Sequence, residues 1–590
     1  MPTMQTLAAA GSLLLKSLTA RLSFLTQPAP LGTADGQVSN TVARSGMWTG
    51  LLCAGLLLTG CASLPSDVDR PVSRALADPG QTSLGKAIAA RAAKAGTRND
   101  SGFALVGSAE LAFTSRMTLI MAAQKTLDIQ YYAIFQDNTT ERLFEALRAA
   151  AARGVRIRIL LDDFNTSGKN AQVLKLAYEK NIELRLFNPL PGGRSSLPVR
   201  ILTNLHDVDR IQRRMHNKIM VADNALGITG GRNLGETYFG QSKGTNFVDI
   251  DVLAAGRIAR DLSRSFDQYW NNPLAYPVQS LMTAKEIEDI KPKPAAAGST
   301  SGASSRDEPA ELAGIEAAVT AIASAPDATT SSLPMLPDST NLRALTWTWA
   351  PSVLLVDKPS KIAADADAIE EAQDTTVDGL LQLMAQAKAD ILIVSPYFVP
   401  GERMMKKFAD IRKRGVRVRV LTNSLASNDA PAAHVGYARY RKALLELGIE
   451  IYEMHAEQRG TFSSFGSSAL GAGSRGGSTS GSRASLHSKV VVMDERLLVV
   501  GSMNLDLRSQ LQNSEVAIAI RNAAISREAI RLIEPTIANG AYHVQLQGDQ
   551  LVWRAPQGSG LKDSTTEPDA SIGLKMMLLL IAPFAPDEML

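Results

Sequence analysis

Hydrophobic and polar positions change period several times along the chain, and each change marks an element. From Ser108 apolar residues recur at helical spacing, with Phe113, Met117, Ile120 and Met121 on one face. Thr126 to Tyr132 then reads as a strand and residues 139–152 as a helix. Gly154 stops that helix, and Arg153 to Asp163 alternates charged and β-branched residues as a strand does. The same order returns later. Ile391–Tyr397 matches the first strand at an offset of 265, and Arg414–Leu421 matches Arg153–Leu160 at an offset of 261. Ile449–Tyr452 echoes Ile182–Arg185. A repeat of this length predicts two homologous domains, not a solenoid. Strands alternating with helices predict an α/β sandwich in each.

Composition sets the boundaries. Residues 61–100 read as a tether and a helix, and 101–283 as the first domain. Residues 284–340 are a low-complexity linker with one helix expected near 308–324. The second domain spans 341–556 and is interrupted by a Gly/Ser loop at 459–483 that is either a lid or disordered. The tail, 557–590, carries an apolar segment from Leu574 that is too short to span a bilayer. It reads as a core-docked helix or as an interfacial one.

Charge narrows the field only slightly. Sixty-two Lys and Arg against 58 Asp and Glu give +4, and aromatic residues make up 5%. A long basic groove with stacking platforms is not expected, so no nucleic-acid partner is expected either. Two cysteines in 590 residues exclude a disulfide scaffold and a cysteine-based structural zinc site. Both lie near the start. Cys53 sits in the apolar run Leu51–Leu58, which has signal-peptide length. The run ends Leu58-Thr59-Gly60-Cys61-Ala62, which resembles the bacterial lipoprotein box. That resemblance implies a signal segment at 1–60 and a lipidated Cys61. It also implies an outer-membrane lipoprotein that faces the periplasm.

The chemistry concentrates in a duplicated motif. His216-Asn-Lys218 leads through four residues to Asp223, then Gly230-Gly231-Arg232-Asn233. His487-Ser-Lys489 leads equally to Asp494, then Gly501-Ser502-Met503-Asn504. With six histidines, one chance match is expected about 0.015 times per chain, so two in equivalent places of a repeat are not accidental. His and Lys two residues apart share one face of a strand. One set offers an imidazole, a cation and an amide on one surface, which suits a phosphate. Two sets facing each other put one His on each side of a phosphorus, as in-line displacement requires. Lys218, Lys489, Asn233 and Asn504, with Ser502, would bind the phosphoryl oxygens. No divalent metal or other cofactor is then required.

These motifs resemble the phospholipase D superfamily in its two-motif form. The resemblance implies two homologous α/β/α domains about a pseudo-twofold, with the site at their interface, and a phosphohistidine intermediate. It favours His216 as nucleophile and His487 as general acid and then base, with the opposite assignment open. Asp223 and Asp494 would be supporting members of the catalytic motifs. A later acid should orient each histidine: Glu515 for His487, and Asp249 for His216 with Asp251 as its rival. His206, His455 and His543 are expected to be surface or structural residues, whereas His434 is a candidate head-group contact.

Further segments are similar to the C-type branch of cardiolipin synthases. They are Leu127–Tyr132, Gly230–Phe239, Phe247–Val252, Trp349-Ala-Pro with Asp357-Lys-Pro, and Arg439–Gly448. The branch implies phosphatidyl transfer to phosphatidylglycerol at a membrane, with phosphatidylethanolamine as donor. Hydrolysis to phosphatidic acid is the first alternative, and a phosphodiesterase or nuclease is the more distant one.

Overall fold

The two motif strands show the plan of the molecule. In Ile219–Ala222, Ile219 and Val221 enter one core while Met220 and Ala222 enter another. In Val490–Met493, Val490 and Val492 enter the same core as Ile219, and Val491 and Met493 enter a third. Strand alternation therefore divides each motif between an outer layer and a core shared by both halves.

The computed structural model describes residues 63–97, 99–282, 285–286, 347–363, 374–456 and 483–581. Cys61 and the signal segment, nearly all of the linker with its expected helix at 308–324, and the Gly/Ser loop before Arg483 lie outside the described residues.

Each half holds a nine-stranded mixed sheet among the described residues. The first runs Thr348–Ala350, Ser101–Val106, Asp251–Ala255, Leu226–Gly230, Ile219–Ala222, Thr126–Tyr131, Arg156–Asp162, Ile182–Phe187 and Ala275–Pro277 in spatial order. The second runs Ser352–Val356, Val516–Arg521, Leu497–Gly501, Val490–Met493, Asp390–Val394, Arg417–Asn423, Glu450–Met454, Ala541–Gln547 and Gln550–Arg554. In both, three consecutive strands pair in parallel and the motif strand pairs antiparallel to the first of them. Helices Ala109–Ala122 and Asn138–Ala152 cover the outer face of the first sheet. Thr376–Met384, Gly401–Lys413 and Pro431–Glu446 cover that of the second. The shared core takes Ile258 and Leu262 from helix Arg257–Trp270, and Ile525, Ala529 and Ile533 from helix Ala523–Gly540. Each half is thus an α/β/α sandwich whose inner layer it shares.

Three features differ from the sequence expectation. Thr348–Ala350 pairs with Ser101–Phe103 of the first sheet, so the second half begins only after Pro351. The open edge of Ser101–Val106 needs a partner, and the returning chain supplies it. Residues 63–78 are a docked strap rather than a tether: buried Arg158 donates to Ser73 Oγ at 3.2 Å and Arg185 to the Pro71 carbonyl at 2.7 Å. In helix Ala109–Ala122 the buried face centres on Ala112, Arg116 and Leu119, and Phe113 and Met117 are only partly buried. Arg116 takes that central place because it is ion-paired with buried Asp251 at 3.0 Å.

The tail folds back through Ser564, which pairs with Trp553, and ends in helix Ile572–Ile581 packed on Pro431–Glu446. Ile572, Met576 and Leu580 are exposed. Among the described residues no helix is long and apolar enough to cross a membrane.

Candidate active site

Each motif histidine enters the site on a segment paired with the other half. The strand Arg483–Leu486, just before His487, pairs in parallel with Thr245–Val248 of the first half. The His487 amide then donates to the Val248 carbonyl at 2.9 Å. Reciprocally, Met215 bridges to Ser514, and the His216 amide donates to the Ser514 carbonyl at 2.9 Å. Asp249 and Glu515 are the next residues on those partner segments, so each acid arrives beside the histidine of the opposite half.

This corrects the expected pairing. His216 Nδ1 lies 3.0 Å from both carboxylate oxygens of Glu515, and His487 Nδ1 lies 3.0 Å from Asp249 Oδ2. Donation from Nδ1–H to the acid leaves Nε2 of each ring as the free basic nitrogen. Asp251 is no rival, since it is held in ion pairs with Arg116 and Arg232. Ser502 is also reassigned: its hydroxyl donates to Glu515 Oε2 rather than standing free for a phosphate. Ser509 donates to the other oxygen at 2.9 Å. The counterpart of Ser502 is Gly231, where a Cβ would lie 2.4 Å from Asp249 Oδ2, so only glycine admits that carboxylate.

Asp357, in the Trp349–Lys358 stretch, secures the His216 side. Its Oδ2 accepts from the Glu515 amide at 2.9 Å and from Lys361 Nζ at 2.8 Å. No sequence signal beyond the family-like motif pointed to it. Asp223 and Asp494 stand at the far ends of the motif strands. Asp223 accepts from the amides of Gln124, Lys125 and Thr126, and Asp494 from those of Lys388, Ala389 and Asp390. Both have φ 51°, a left-handed turn that an aspartate tolerates. They fasten strands and do not reach the histidines.

The two lysines are buried, and each donates to the carbonyl of its own motif histidine, Lys218 at 2.8 Å. Burial lowers Lys218 to about 7 and Lys489 to about 8, with the nearby carboxylates opposing the shift. Burial likewise raises Glu515 to about 7 and Asp249 to about 6, against the pull of the lysines and Arg232. Both imidazoles are held well below their ordinary value by burial and by the two lysines, so both are neutral at pH 7. Asn233 Nδ2 donates to the Tyr238 hydroxyl at 3.0 Å, and Oδ1 of both Asn233 and Asn504 is buried without a partner. The site therefore holds two neutral nucleophiles, two ammonium groups destabilised by burial, and amides with unfilled hydrogen-bonding capacity. A phosphoryl group would supply the negative charge that the ammonium groups lack, whereas the two open amide oxygens call for a donor such as a head-group hydroxyl or ammonium. Among the described residues no group of three or more His, Cys, Asp or Glu side chains is placed to hold a metal ion.

His434 does not join this site. It is 1% exposed, and its Nε2 lies 2.9 Å from Arg441 and 3.3 Å from Glu567 in a buried ion-pair cluster that clasps the tail. The expected head-group contact is withdrawn on that ground. His455 likewise pairs with Asp569 at 3.0 Å, and His543 stacks on Tyr452.

Comparison with known proteins points to one family. The family model described as "Cardiolipin synthase, PLD-like domain" matches residues 117–270 and 380–535. Cardiolipin synthase C of Escherichia coli is 35% identical over 70% of this chain and 80% of its own. An uncharacterised protein of Helicobacter pylori is 29% identical over 85% of this chain and 91% of its own. Among solved structures, the phosphatidylserine synthase of Haemophilus influenzae shares the fold with a TM-score of 0.51 at 14% identity, covering 85% of this chain and 98% of that one.

Proposed function

The chain belongs to the cardiolipin synthase family of phospholipase D-like proteins, and on that premise we propose that it transfers a phosphatidyl group to phosphatidylglycerol, making cardiolipin through a phosphohistidine. The observation that carries this reading is the pair of histidine–acid dyads, crossed between the halves and set beside two buried lysines. His216 Nε2 attacks phosphorus and the bond to the departing head-group oxygen breaks. His487, neutral in the empty site, takes a proton on Nε2 from solvent as the anionic phosphodiester binds beside it, and gives that proton to the departing oxygen. The acceptor alcohol then surrenders its proton to His487 and attacks phosphorus, which frees His216. The firmer support under Glu515, from Ser502, Ser509 and Asp357, favours His216 as the nucleophile, because an attacking atom needs the more fixed position. Lys218 and Lys489 balance the charge on the equatorial oxygens.

The donor is phosphatidylethanolamine or a second phosphatidylglycerol. Acylation of Cys61 would anchor the chain at the periplasmic face of the outer membrane; the support for this is the sequence box alone. Incubation of the full chain with isotopically distinct donor and acceptor lipids, followed by mass spectrometry, is expected to give cardiolipin carrying both labels. Phosphatidic acid as the sole lipid product would overturn transfer in favour of hydrolysis.

The site chemistry also sets a pH dependence. Lys218 and Lys489 lose their protons as pH rises through about 7 and 8, and the hold on phosphate goes with them. Glu515 and Asp249 gain protons as pH falls through about 7 and 6, and the histidines lose their orienting charge. Since kcat/KM reports the free enzyme, it should trace a narrow bell with its maximum near pH 7. Lys218→Arg keeps its charge and should extend the basic limb upward. A flat profile to pH 9 in the unaltered enzyme would contradict the assignment of that limb.

A further inference from the structure

The pseudo-symmetry of the site breaks at a place that neither the motifs nor the dyads require. In each half a tyrosine following the first parallel strand lies near the motif lysine. Lys218 is 5.7 Å from the centre of the Tyr132 ring, and Lys489 is 6.0 Å from that of Tyr397. The hydroxyl of each tyrosine is engaged by a side chain from the loop after the neighbouring parallel strand. In the first half this partner is Asn165, a neutral amide. In the second it is Asp429, both of whose carboxylate oxygens lie 2.9 Å from the Tyr397 hydroxyl. Asp429 is exposed, and Tyr397 is partly so.

The surroundings accentuate this difference. The charge of Asp429 acts on both Lys489 and Tyr238. Tyr238 and Phe247 pack against the His487 ring at 5.2 and 5.0 Å. A carboxylate among aromatic rings therefore lies on the His487 flank. On the other flank Tyr132 packs against the His216 ring at 5.1 Å, and the charges that act on it most are the buried carboxylate of Asp162, ion-paired with Arg214, and then Arg508. Arg508 itself donates to the Gln212 carbonyl at 3.3 Å. Each flank thus has an aromatic ring and an acid, but the acid beside His487, Asp429, is exposed, whereas Asp162 on the His216 side is buried and ion-paired with Arg214.

We propose that Asp429, held by Tyr397, selects the head group on the His487 flank, accepting hydrogen bonds from the hydroxyl or ammonium groups of the alcohol that leaves from or adds to phosphorus. This rests on the transfer reading above, in which His487 handles that alcohol. A carboxylate can only accept hydrogen bonds at neutral pH, so it rewards head groups rich in donors. An aromatic surround adds a preference for cations. Asn165 brings no charge to the corresponding place on the opposite flank.

The experiment uses the full chain and three lipids: phosphatidylglycerol, phosphatidylethanolamine and phosphatidylmethanol, whose head group donates no hydrogen bond. Asp429→Asn keeps the shape and the contact to Tyr397 while removing the charge. It is expected to raise KM for the donor-rich head groups roughly tenfold, so that their advantage over phosphatidylmethanol shrinks. A loss confined to phosphatidylethanolamine identifies an ammonium site; a loss shared with phosphatidylglycerol identifies a general hydroxyl and ammonium site. Either supports the proposal. An equal fall in kcat for all three lipids, with KM unchanged, overturns it and leaves Asp429 a positioning residue for Tyr397. The reciprocal Asn165→Asp guards against a folding defect in the first variant, since added charge on that flank should alter head-group preference there. If the unaltered enzyme transfers none of the three lipids, the underlying transfer reading fails instead, which is a separate result.

Discussion

Replacing His216 by alanine is expected to lower phosphatidyl transfer by about 10⁴- to 10⁶-fold, the range seen when a covalent nucleophile is removed from an otherwise intact site. Replacing His487 is expected to cost nearly as much with natural lipids, but for a different reason. His216 Nε2 is the free nitrogen of a ring whose Nδ1 is committed to Glu515, and no other side chain in the site offers an equivalent nucleophile on that flank. His487 instead has to give a proton to the departing alkoxide. A phosphatidyl ester with an activated leaving group, such as p-nitrophenol, needs no such proton. His487→Ala should therefore recover much of its first-step rate on that substrate, released as a burst of nitrophenol, while His216→Ala should not. Denatured His487→Ala should then carry the phosphatidyl mass on the peptide containing His216. Recovery by His216→Ala, with the label on the His487 peptide, would reverse the two roles.

The division between what sequence disclosed and what needed coordinates follows the range of the interactions. Periodicity and the repeat located the motif strands, because whether Ile219 and Val221 face one core and Met220 the other is decided within four residues. The histidine and lysine of each motif were legible for the same reason. Strand partners were not. The segment Thr245–Val248 pairs with Arg483–Leu486, across the linker and most of both halves, and alternation fixes a strand's face but never names its neighbour. The crossing of the acids is hidden in that long-range pairing. Ser502 misled differently: it occupies the place of Gly231, and a small residue near a phosphate site reads as a ligand until its hydroxyl is found on Glu515. His434 sits in a helix that resembles a cleft-lining one, but its burial depends on Glu567, more than 130 residues later. The strap at residues 63–78 looked like a tether because its polar composition carries no record of the buried arginines that hold it, one by a side-chain hydroxyl and one by a carbonyl.

The crossed dyads make their own strong prediction. Glu515→Gln is expected to lower transfer by about 10³- to 10⁴-fold, comparable to removing the orienting carboxylate from a catalytic triad. The amide removes the charge that stabilises a cationic phosphohistidine, and its single oxygen has to serve His216 as well as the Ser502 and Ser509 hydroxyls that now share two. An amide nitrogen turned toward Nδ1 would force the proton onto Nε2 and block attack. Folding should survive, since burial already pushes Glu515 up to about 7 and a neutral isostere relieves the desolvation of that buried charge; denaturant unfolding checks this. The diagnostic lies in which histidine each acid variant imitates. Glu515→Gln lies in the second half but should behave like His216→Ala, silent even with the activated ester. Asp249→Asn lies in the first half but should behave like His487→Ala and regain the nitrophenol burst, because its carboxylate serves the proton donor. With the label found on the His216 peptide, the opposite pattern, with Glu515→Gln rescued and Asp249→Asn not, would mean that each acid serves the histidine of its own half. It follows from the crossed arrangement that neither half expressed alone can form a complete dyad, and mixing an intact first half with an intact second half is the only route by which separate fragments should regain the burst.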